Sequence, residues 1–166
     1  MKRIIFVLLV FVFVSCEEDV VIPDKGVFQD KALATELKSK AQNSFRLNGD
    51  LYTLEAFAWR DFMPISPPDG KALISINRLI NNNSNPIADE LNMVQQYVIY
   101  DHSVWVTGYE KGSGNSSINW QREKVSGNGP KWGPNVYVDV ISVVRNTITN
   151  KEYYLIDRKI HINRTD

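Results

Sequence analysis

The sequence predicts an all-β domain, an immunoglobulin-like antiparallel β-sandwich of about seven strands. From Phe45 onward the chain consists of short segments rich in Val, Ile, Tyr and Trp, turn residues separate these segments, and no long helical pattern lies between them. Uneven loop lengths favour a sandwich over a barrel, and the lack of helical patterns disfavours helix-crossover folds. Because Cys16 is the only cysteine, the disulfide of true immunoglobulin domains is absent and the likeness concerns architecture alone.

The first fifteen residues have the layout of an export signal. The basic pair Lys2-Arg3 precedes eleven apolar residues (4–14) and the small residue Ser15. A helix of eleven residues rises about 16 Å, roughly half the thickness of the hydrocarbon core of a bilayer, which is too short for a stable membrane span. Residues 1–15 are therefore predicted to be a signal peptide.

The next residue, Cys16, resembles the lipobox cysteine of bacterial lipoproteins. Val14 and Ser15 precede it, and Phe13 replaces the usual Leu, as in the looser lipoboxes of Bacteroidota. Together with the strand layout, this end of the chain resembles the small uncharacterised β-sandwich lipoproteins of Bacteroidota. The resemblance implies acyl chains on Cys16, and two or more such chains hold a protein stably on a membrane. The alternative is an ordinary secretory signal in which Cys16 is incidental.

The resemblance also implies a location, the outer membrane. Residues 17–19, Glu-Glu-Asp, are similar to the signal that sends some Bacteroidota lipoproteins to the cell surface, and a solvated acidic linker explains them equally well. The domain is thus expected to face either the periplasm or the outside of the cell. Without residues 1–15 the chain has 17 Lys and Arg against 19 Asp and Glu, and its basic residues are scattered. We therefore predict no nucleic-acid partner.

A tether is predicted at residues 16–44, before a β-sandwich domain at residues 45–166. Within the tether, residues 30–44 have the pattern of a short helix. Asp30 is its expected N-cap, and one side of the helix is apolar, with Leu33, Leu37 and Ala41. We expect this helix to act as a spacer.

Two tight hairpins are predicted from their turns. Asn48-Gly49 is the pair that best tolerates the positive φ angles of a type I′ turn. Asp101-His102 lies between two segments rich in β-branched and aromatic residues. The flanking strands are 45–47 and 51–59 for the first turn, and 94–100 and 104–109 for the second.

Four further strands are predicted, at residues 72–80, 118–125, 136–144 and 153–162. The first of them alternates, with Ile74 and Ile76 on the apolar face and Ser75 and Asn77 on the polar face. Residues 118–125 are expected at an edge, because a glycine- and serine-rich loop precedes them. Residues 136–144 are almost entirely Val, Ile and Tyr, which is typical of a central strand.

Reactive side chains are few. His102 is expected at a polar hairpin tip, and His161 on the face opposite its isoleucine neighbours, without further metal ligands. Four aspartates are candidates by residue type for acid and base catalysis, Asp61, Asp69, Asp101 and Asp139. The last is expected to face solvent or to pair with Arg145 or Arg158. No calcium loop, phosphate cradle or HExxH helix is present, so no metal or cofactor is predicted.

The pair Arg60-Asp61 interrupts an apolar segment that ends in a proline-rich turn. It has two interpretations, a rim that contacts a ligand or a structural ion pair that fixes the end of a strand, and we favour the ion pair.

The four tryptophans could form a stacking platform for sugars or fill a core. Trp105, between two valines, is expected in the core. Trp120 follows a flexible loop and Trp132 lies in a loop rich in Gly and Pro, so we place a candidate binding surface at Trp120, Lys131 and Trp132.

Two classes of function follow from this inventory. The first is a non-catalytic, lipid-anchored binding or accessory module whose partner is an envelope protein or a glycan. The second is a small envelope enzyme or enzyme inhibitor that uses carboxylates brought together by the fold. The poor reactive inventory favours the first. A purely structural lipoprotein with no discrete ligand is a third possibility.

Overall fold

Nine strands and one helix make up the described residues, 22–112 and 118–166, of the computed structural model. They are β1 (Gly26–Gln29), α1 (Lys31–Lys40), β2 (Ser44–Leu47), β3 (Asp50–Asp61), β4 (Leu73–Asn81), β5 (Leu91–Tyr100), β6 (Ser103–Thr107), β7 (Gln121–Gly129), β8 (Tyr137–Asn146) and β9 (Glu152–Thr165). The all-β prediction is confirmed, with nine strands in place of about seven. The predicted signal peptide and Cys16 lie outside the described residues.

The strands form one curled sheet in the order β1-β6-β5-β8-β9-β3-β4-β7, with β2 added to β3. The long strand β9 joins its two halves, because β9 pairs antiparallel with β8 and then, at residues 162–165, parallel with β3. Strands β1, β6, β5, β8 and β9 form a first layer, and β2, β3, β4 and β7 form a second layer. The side opposite the β9-β3 junction, between the end strands β1 and β7, is called the open edge. The parallel β3-β9 pair departs from the wholly antiparallel sandwich that the sequence predicts.

Two apolar clusters fill the space between the layers. One joins Leu79 of the second layer to Val144 of the first. The other joins Leu73 of the second layer to Trp105 and Val140 of the first, which confirms Trp105 as a core residue. These clusters hold the two layers together by burying apolar surface.

Helix α1 covers the outer face of the first layer. The Asp30 side chain accepts a hydrogen bond of 2.9 Å from the backbone N–H of Leu33, which confirms the predicted N-cap. Leu33 and Leu37 are buried in a third apolar cluster on strands β5, β6 and β8. The helix therefore belongs to the fold and is no spacer. It ends at Lys40, and not at Ser44, because Ser44 begins β2.

The expected tether is also shorter than residues 16–44. Strand β1 pairs antiparallel with β6, from Gly26 opposite Val106 to Gln29 opposite Ser103. Residues from Gly26 onward are thus part of the domain, because the backbone of β1 completes the edge of the first layer.

Both predicted hairpins are confirmed. Asn48 and Gly49 have φ angles of 52° and 91°, and Leu47 and Asp50 pair directly across the turn. Asp101 has a φ of 53° in the second turn. The predicted edge strand and central strand are confirmed as well, since β7 ends the sheet and β8 lies between β5 and β9.

The predicted orientation of β4 is wrong. Ser75 and Asn77 are buried between the layers, whereas Ile74 and Ile76 lie half-buried on the outer face. Leu73 and Leu79 lie on the same face of the strand as Ser75 and Asn77. Because both leucines enter the apolar clusters, this face turns inward. Burial of the polar pair is tolerated because both side chains are hydrogen-bonded.

Candidate functional site

A hydrogen-bonded group of polar side chains crosses the interior between the two apolar clusters. This polar belt consists of Ser75, Asn77, Gln96, Tyr109 and Ser142. The Asn77 Nδ2 atom donates to the Gln96 Oε1 atom at 2.8 Å and to the Tyr109 hydroxyl at 2.9 Å. The Tyr109 hydroxyl lies 2.7 Å from the Ser142 Oγ atom, and the Ser75 hydroxyl donates to the Asn77 Oδ1 atom at 3.2 Å. The belt therefore links both layers to the segment that follows β6.

Four members of the polar belt, Ser75, Asn77, Gln96 and Ser142, have no solvent exposure. Such a group is tolerated in an interior only when its polar atoms find partners. One atom in it has none: the Gln96 Nε2 atom is buried and has no hydrogen-bond partner among the described residues. Burial also raises the pKa of Tyr109 to about 12, although its bonds to Ser142 and Asn77 lower it. Tyr109 therefore keeps its proton at neutral pH.

Two adjoining clefts lie at the open edge, on either side of Glu110, Gly127 and Asn128. The inner cleft, of about 300 Å³, also includes Trp105, Thr107 and Tyr109 of the interior and Lys25 at the start of β1. The outer cleft, of about 480 Å³, extends over the second layer to Ile74, Lys71 and Lys131. Both volumes fall in the range of small-ligand sites. We refer to the two together as the twin cleft.

The shared wall of the twin cleft is closely fitted. The backbone N–H of Glu110 donates to the Val125 carbonyl at 2.8 Å, and the Ser126 hydroxyl donates to the Gly108 carbonyl at 2.9 Å. A Cβ atom at Gly127 would lie 2.6 Å from the Glu110 Oε1 atom, so the end of the Glu110 side chain lies directly against the backbone of β7. The segment after β6 is thereby attached to β7, and the wall is fixed before any ligand arrives.

Arg60 fixes the loops beside the outer cleft. Its buried guanidinium donates to the carbonyls of Lys71 at 2.9 Å, Lys131 at 3.1 Å and Gly133 at 2.7 Å, and also to the carbonyl of Asp69. These contacts tie the proline-rich loop after β3 to the loop after β7. Arg60 therefore has the structural role that we favoured from the sequence, but it holds backbone carbonyls and not a carboxylate.

The predicted Arg60-Asp61 ion pair is wrong. Successive residues of a strand point to opposite faces, so Arg60 points inward and Asp61 outward. The Asp61 carboxylate instead lies 2.6 Å from the Lys71 ammonium. The hydrogen bond from Lys71 lowers the pKa of Asp61.

The structure does not bring Trp120, Lys131 and Trp132 together. Trp120 precedes the first residue of β7, whereas the other two follow its last residue, and nine residues of strand span roughly 30 Å. Trp132 is half-buried against the ring of Tyr100, at a centroid distance of 5.7 Å. Of the three residues, Lys131 lines the twin cleft.

The four candidate aspartates also remain apart. The Asp69 carboxylate lies 2.6 Å from Lys131, and the Asp139 carboxylate lies 2.8 Å from Lys38 of α1, not from an arginine. The hydrogen bond from Lys131 lowers the pKa of Asp69. Burial alone would raise the pKa of Asp139, but Lys38 and the backbone N–H of Lys159 lower it overall. Asp101 is exposed at its hairpin, 3.6 Å from His102.

One further carboxyl group, that of Asp157 in β9, has a raised pKa, in contrast to the lowered pKa values described above. Burial raises its pKa, partly offset by the backbone N–H of Ala56, which donates to the Asp157 Oδ2 atom at 2.9 Å. The folded state thus holds this proton more tightly than the unfolded chain does. The resulting stabilisation is full at low pH and is lost as the pH rises through the raised pKa.

Replacing Asp157 by Asn removes this titration and keeps an oxygen for Ala56. We therefore expect Asp157→Asn to gain stability relative to the wild type as the pH rises from about 4 to 7, measured by urea unfolding. Asp101→Asn, at an exposed carboxyl group, is the control. A difference from the wild type that stays constant with pH would contradict the prediction.

The histidines do not join the twin cleft. His102 is exposed at its hairpin, and the His161 Nδ1 atom lies 2.9 Å from the Asn163 Oδ1 atom. Within residues 22–112 and 118–166, no group of three or more His, Cys, Asp or Glu side chains is placed to hold a metal ion. Over the same residues, α1 is too short and too polar to cross a membrane.

Sequence reasoning missed the polar belt and the twin cleft. Two signals were present in the sequence. Ser142 interrupts a run of Val and Ile in β8, and Ser75 and Asn77 lie two and four residues after Leu73, which puts them on the same face of β4.

No protein-family model matches the chain, and no curated protein or solved structure matches it significantly. Function must therefore be argued from the site itself.

Proposed function

We propose that the protein is a non-catalytic, lipid-anchored module of the outer membrane that binds a glycan in the twin cleft. The observation that carries this proposal is the twin cleft itself, a site at the open edge with a fixed wall. Its walls combine aromatic side chains with polar groups, including Tyr109, Glu110 and Asn128. Sugars present both apolar ring faces and hydroxyl groups, and such a lining suits both.

The arrangement of the carboxylates supports binding over catalysis. Glycosidases flank the scissile bond with two carboxyl groups. Among the described residues that line the twin cleft, Glu110 is the only carboxylate. Asp61, Asp69 and Asp139 are each paired with a lysine.

The proposed anchor is supported by the sequence of residues 1–19. Five residues lie between Cys16 and Ile22. The resulting six Cα–Cα steps span at most about 20 Å. An acylated Cys16 would thus keep the domain close to the membrane surface, and two acyl chains would make the attachment stable.

The anchor is tested by labelling cells with a radioactive fatty acid. The wild type is expected to incorporate the label and to fractionate with the outer membrane, and Cys16→Ala is expected to do neither. Incorporation into Cys16→Ala would overturn the assignment of this residue. Proteinase added to intact cells then distinguishes a surface domain, which is degraded, from a periplasmic domain, which is protected.

The binding site is tested with Asn128→Gly on a glycan array, followed by titration calorimetry of the hits. Asn128 has a φ of 59°, so glycine removes its side chain from both clefts without straining the backbone. We expect affinity to fall about fivefold, the loss of one hydrogen bond.

Asn150→Gly is the matched control, because Asn150 has a φ of 58° in the turn between β8 and β9, away from the clefts. Equal loss in both variants would argue against the twin cleft. Absence of any glycan binding by the wild type, with capture of an envelope protein in its place, would overturn the glycan proposal.

A further inference from the structure

The outer face of the second layer has an apolar surface that solvent reaches. On β3 the alternate residues are buried between the layers, so Phe57 and Trp59 point outward. Phe57 pairs in register with Ile76, which pairs in turn with Val125 of β7, and Trp59 pairs with Ile74. Phe57 is 37% exposed and the other four are half-buried. We call these five residues the aromatic face.

The aromatic face continues the outer cleft. Ile74 and Val125 belong to both, because their side chains also line the cleft. On the neighbouring strand Trp59 lies beside Ile74, and on its other side it pairs in register with Asn163 of β9. Asn163 is exposed, and its Oδ1 atom lies 2.9 Å from the His161 Nδ1 atom. A ligand that leaves the outer cleft over Ile74 therefore meets an indole ring with an amide group beside it.

The size of the aromatic face suits a chain of sugars and not a protein. Its three strands lie about 4.8 Å apart and its two rows of side chains about 7 Å apart, which makes a patch on the order of 200 Å². A stable protein interface buries about 800 Å² on each partner. A second copy of this chain would thus need much more apolar surface than this face offers.

Ion pairs border the aromatic face on two sides. On one side Arg78 lies between two carboxylates, 3.3 Å from Glu55 and 2.7 Å from Glu123. On the other side Asp61 lies 2.6 Å from Lys71. These bordering cations are already paired with carboxylates of the protein, which favours a neutral ligand over an acidic one.

We infer that the ligand of the twin cleft is a neutral oligosaccharide that continues from the outer cleft onto the aromatic face, where one sugar ring stacks on Trp59. The exposed Asn163 amide then hydrogen-bonds hydroxyl groups of that sugar. From Asn128 on β7 to Trp59 on β3 are two steps between strands, about 10 Å, which is more than one sugar ring spans. The ligand therefore has at least three sugars. This inference rests on the proposed function and adds the length and charge of the ligand.

The inference is tested by calorimetry with the full mature chain in a detergent without sugar groups. The probes are linear oligosaccharides of two to six sugars, from β-1,4-linked glucose, mannose and N-acetylglucosamine. We expect the hexasaccharide of at least one series to bind about tenfold more tightly than its disaccharide. This affinity is expected to stay constant between 50 and 300 mM salt, because the ligand has no charge to screen.

The variant Trp59→Leu removes the ring but keeps an apolar side chain. We expect it to lose about tenfold in affinity for the hexasaccharide and none for the disaccharide. Trp120→Leu is the matched control, since Trp120 is also half-buried but lies before the first residue of β7, at the far end of the second layer. It should change neither affinity. Trp59→Phe keeps a ring and should keep most of the gain with length, so it decides the matter if Trp59→Leu fails to fold.

The outcomes separate this inference from the proposed function. Affinity that does not rise with length, or an unchanged Trp59→Leu, would overturn the role of the aromatic face and leave glycan binding in the twin cleft intact. A wild type that sediments as a dimer, with a monomeric Trp59→Leu, would identify the face as a contact between two copies and overturn it as well. Binding of no glycan at all would overturn both.

Discussion

Replacing Arg60 by methionine is expected to lower the free energy of unfolding by about 3–5 kcal/mol. The buried guanidinium donates to four backbone carbonyls, at Asp69, Lys71, Lys131 and Gly133. Methionine fills a similar volume but leaves all four carbonyls without this donor. Hydrogen bonds from a charged group contribute more than neutral ones, so the loss exceeds that of an ordinary surface contact. Urea unfolding gives the free energy, and a fall in Tm of roughly 10 °C should accompany it.

Two further variants make the Arg60 prediction specific. Arg60→Lys keeps the charge, but one ammonium cannot reach carbonyls on both loops, so it should recover only a small part of the loss. Arg158→Met, at an exposed position on β9, is the control and should change little. A stable Arg60→Met variant with unchanged loops would contradict the role of this residue. Because Lys71 and Lys131 line the outer cleft, we also expect Arg60→Met to weaken glycan binding.

The second large effect is expected at Asn77, the centre of the polar belt. Asn77→Leu keeps the number and branching of the side-chain heavy atoms but removes the donor to Gln96 and Tyr109 and the acceptor for Ser75. Each buried group left without a partner costs about 1–3 kcal/mol, so we expect a loss of about 2–4 kcal/mol. Asn92→Leu, at an exposed position on β5, is the control.

Gln96 should behave differently, although it is equally buried and bonded to Asn77. Its Nε2 atom has no partner, so Gln96→Met removes an unsatisfied buried group together with one hydrogen bond. We therefore expect Gln96→Met to be nearly neutral in the absence of ligand, and the double variant with Asn77→Leu to lose less than the single variants predict by addition. A strongly destabilised Gln96→Met would show that the amide is satisfied in solution, for example by a buried water.

Stability alone does not explain the polar belt, because apolar side chains of similar volume would stabilise the core at least as much. Its position explains it better: the belt lies behind the floor of the inner cleft, and Tyr109 belongs to both. We regard the belt as the support that orients Tyr109 at the proposed binding site.

Features set by neighbouring residues could be predicted from the sequence. The turn at Asn48-Gly49 follows from backbone sterics, and the Asp30 cap follows from the need to satisfy the first N–H groups of a helix. The run of β-branched residues in β8 was enough to predict a central strand, without knowledge of the strands that it pairs with.

The face of β4 could not be predicted, because both of its faces carry apolar residues. Leu73 lies on one face and Ile74 on the other, so period-two alternation is ambiguous there. The length of β7 was also missed, because Gly127 and Gly129 suggest a turn. In the folded protein both glycines belong to the strand. Glycine is needed at position 129 because a Cβ atom there would lie 2.7 Å from the ring of Trp105. The predicted surface that joins Trp120 to Lys131 is wrong for that reason, because the full length of β7 separates the two residues.

The sequence by itself determined the all-β class, the two hairpins, the capped helix, the edge position of β7 and the central position of β8, because each follows from the residue types of one short segment of the chain. Only the tertiary structure decided the polar belt and the twin cleft. Asn77 meets Gln96 across 19 residues and Tyr109 meets Ser142 across 33, and the curl of the sheet brings them together. A single polar residue in a strand carries no sign of which distant partner will satisfy it, so this site becomes visible only when the two layers close.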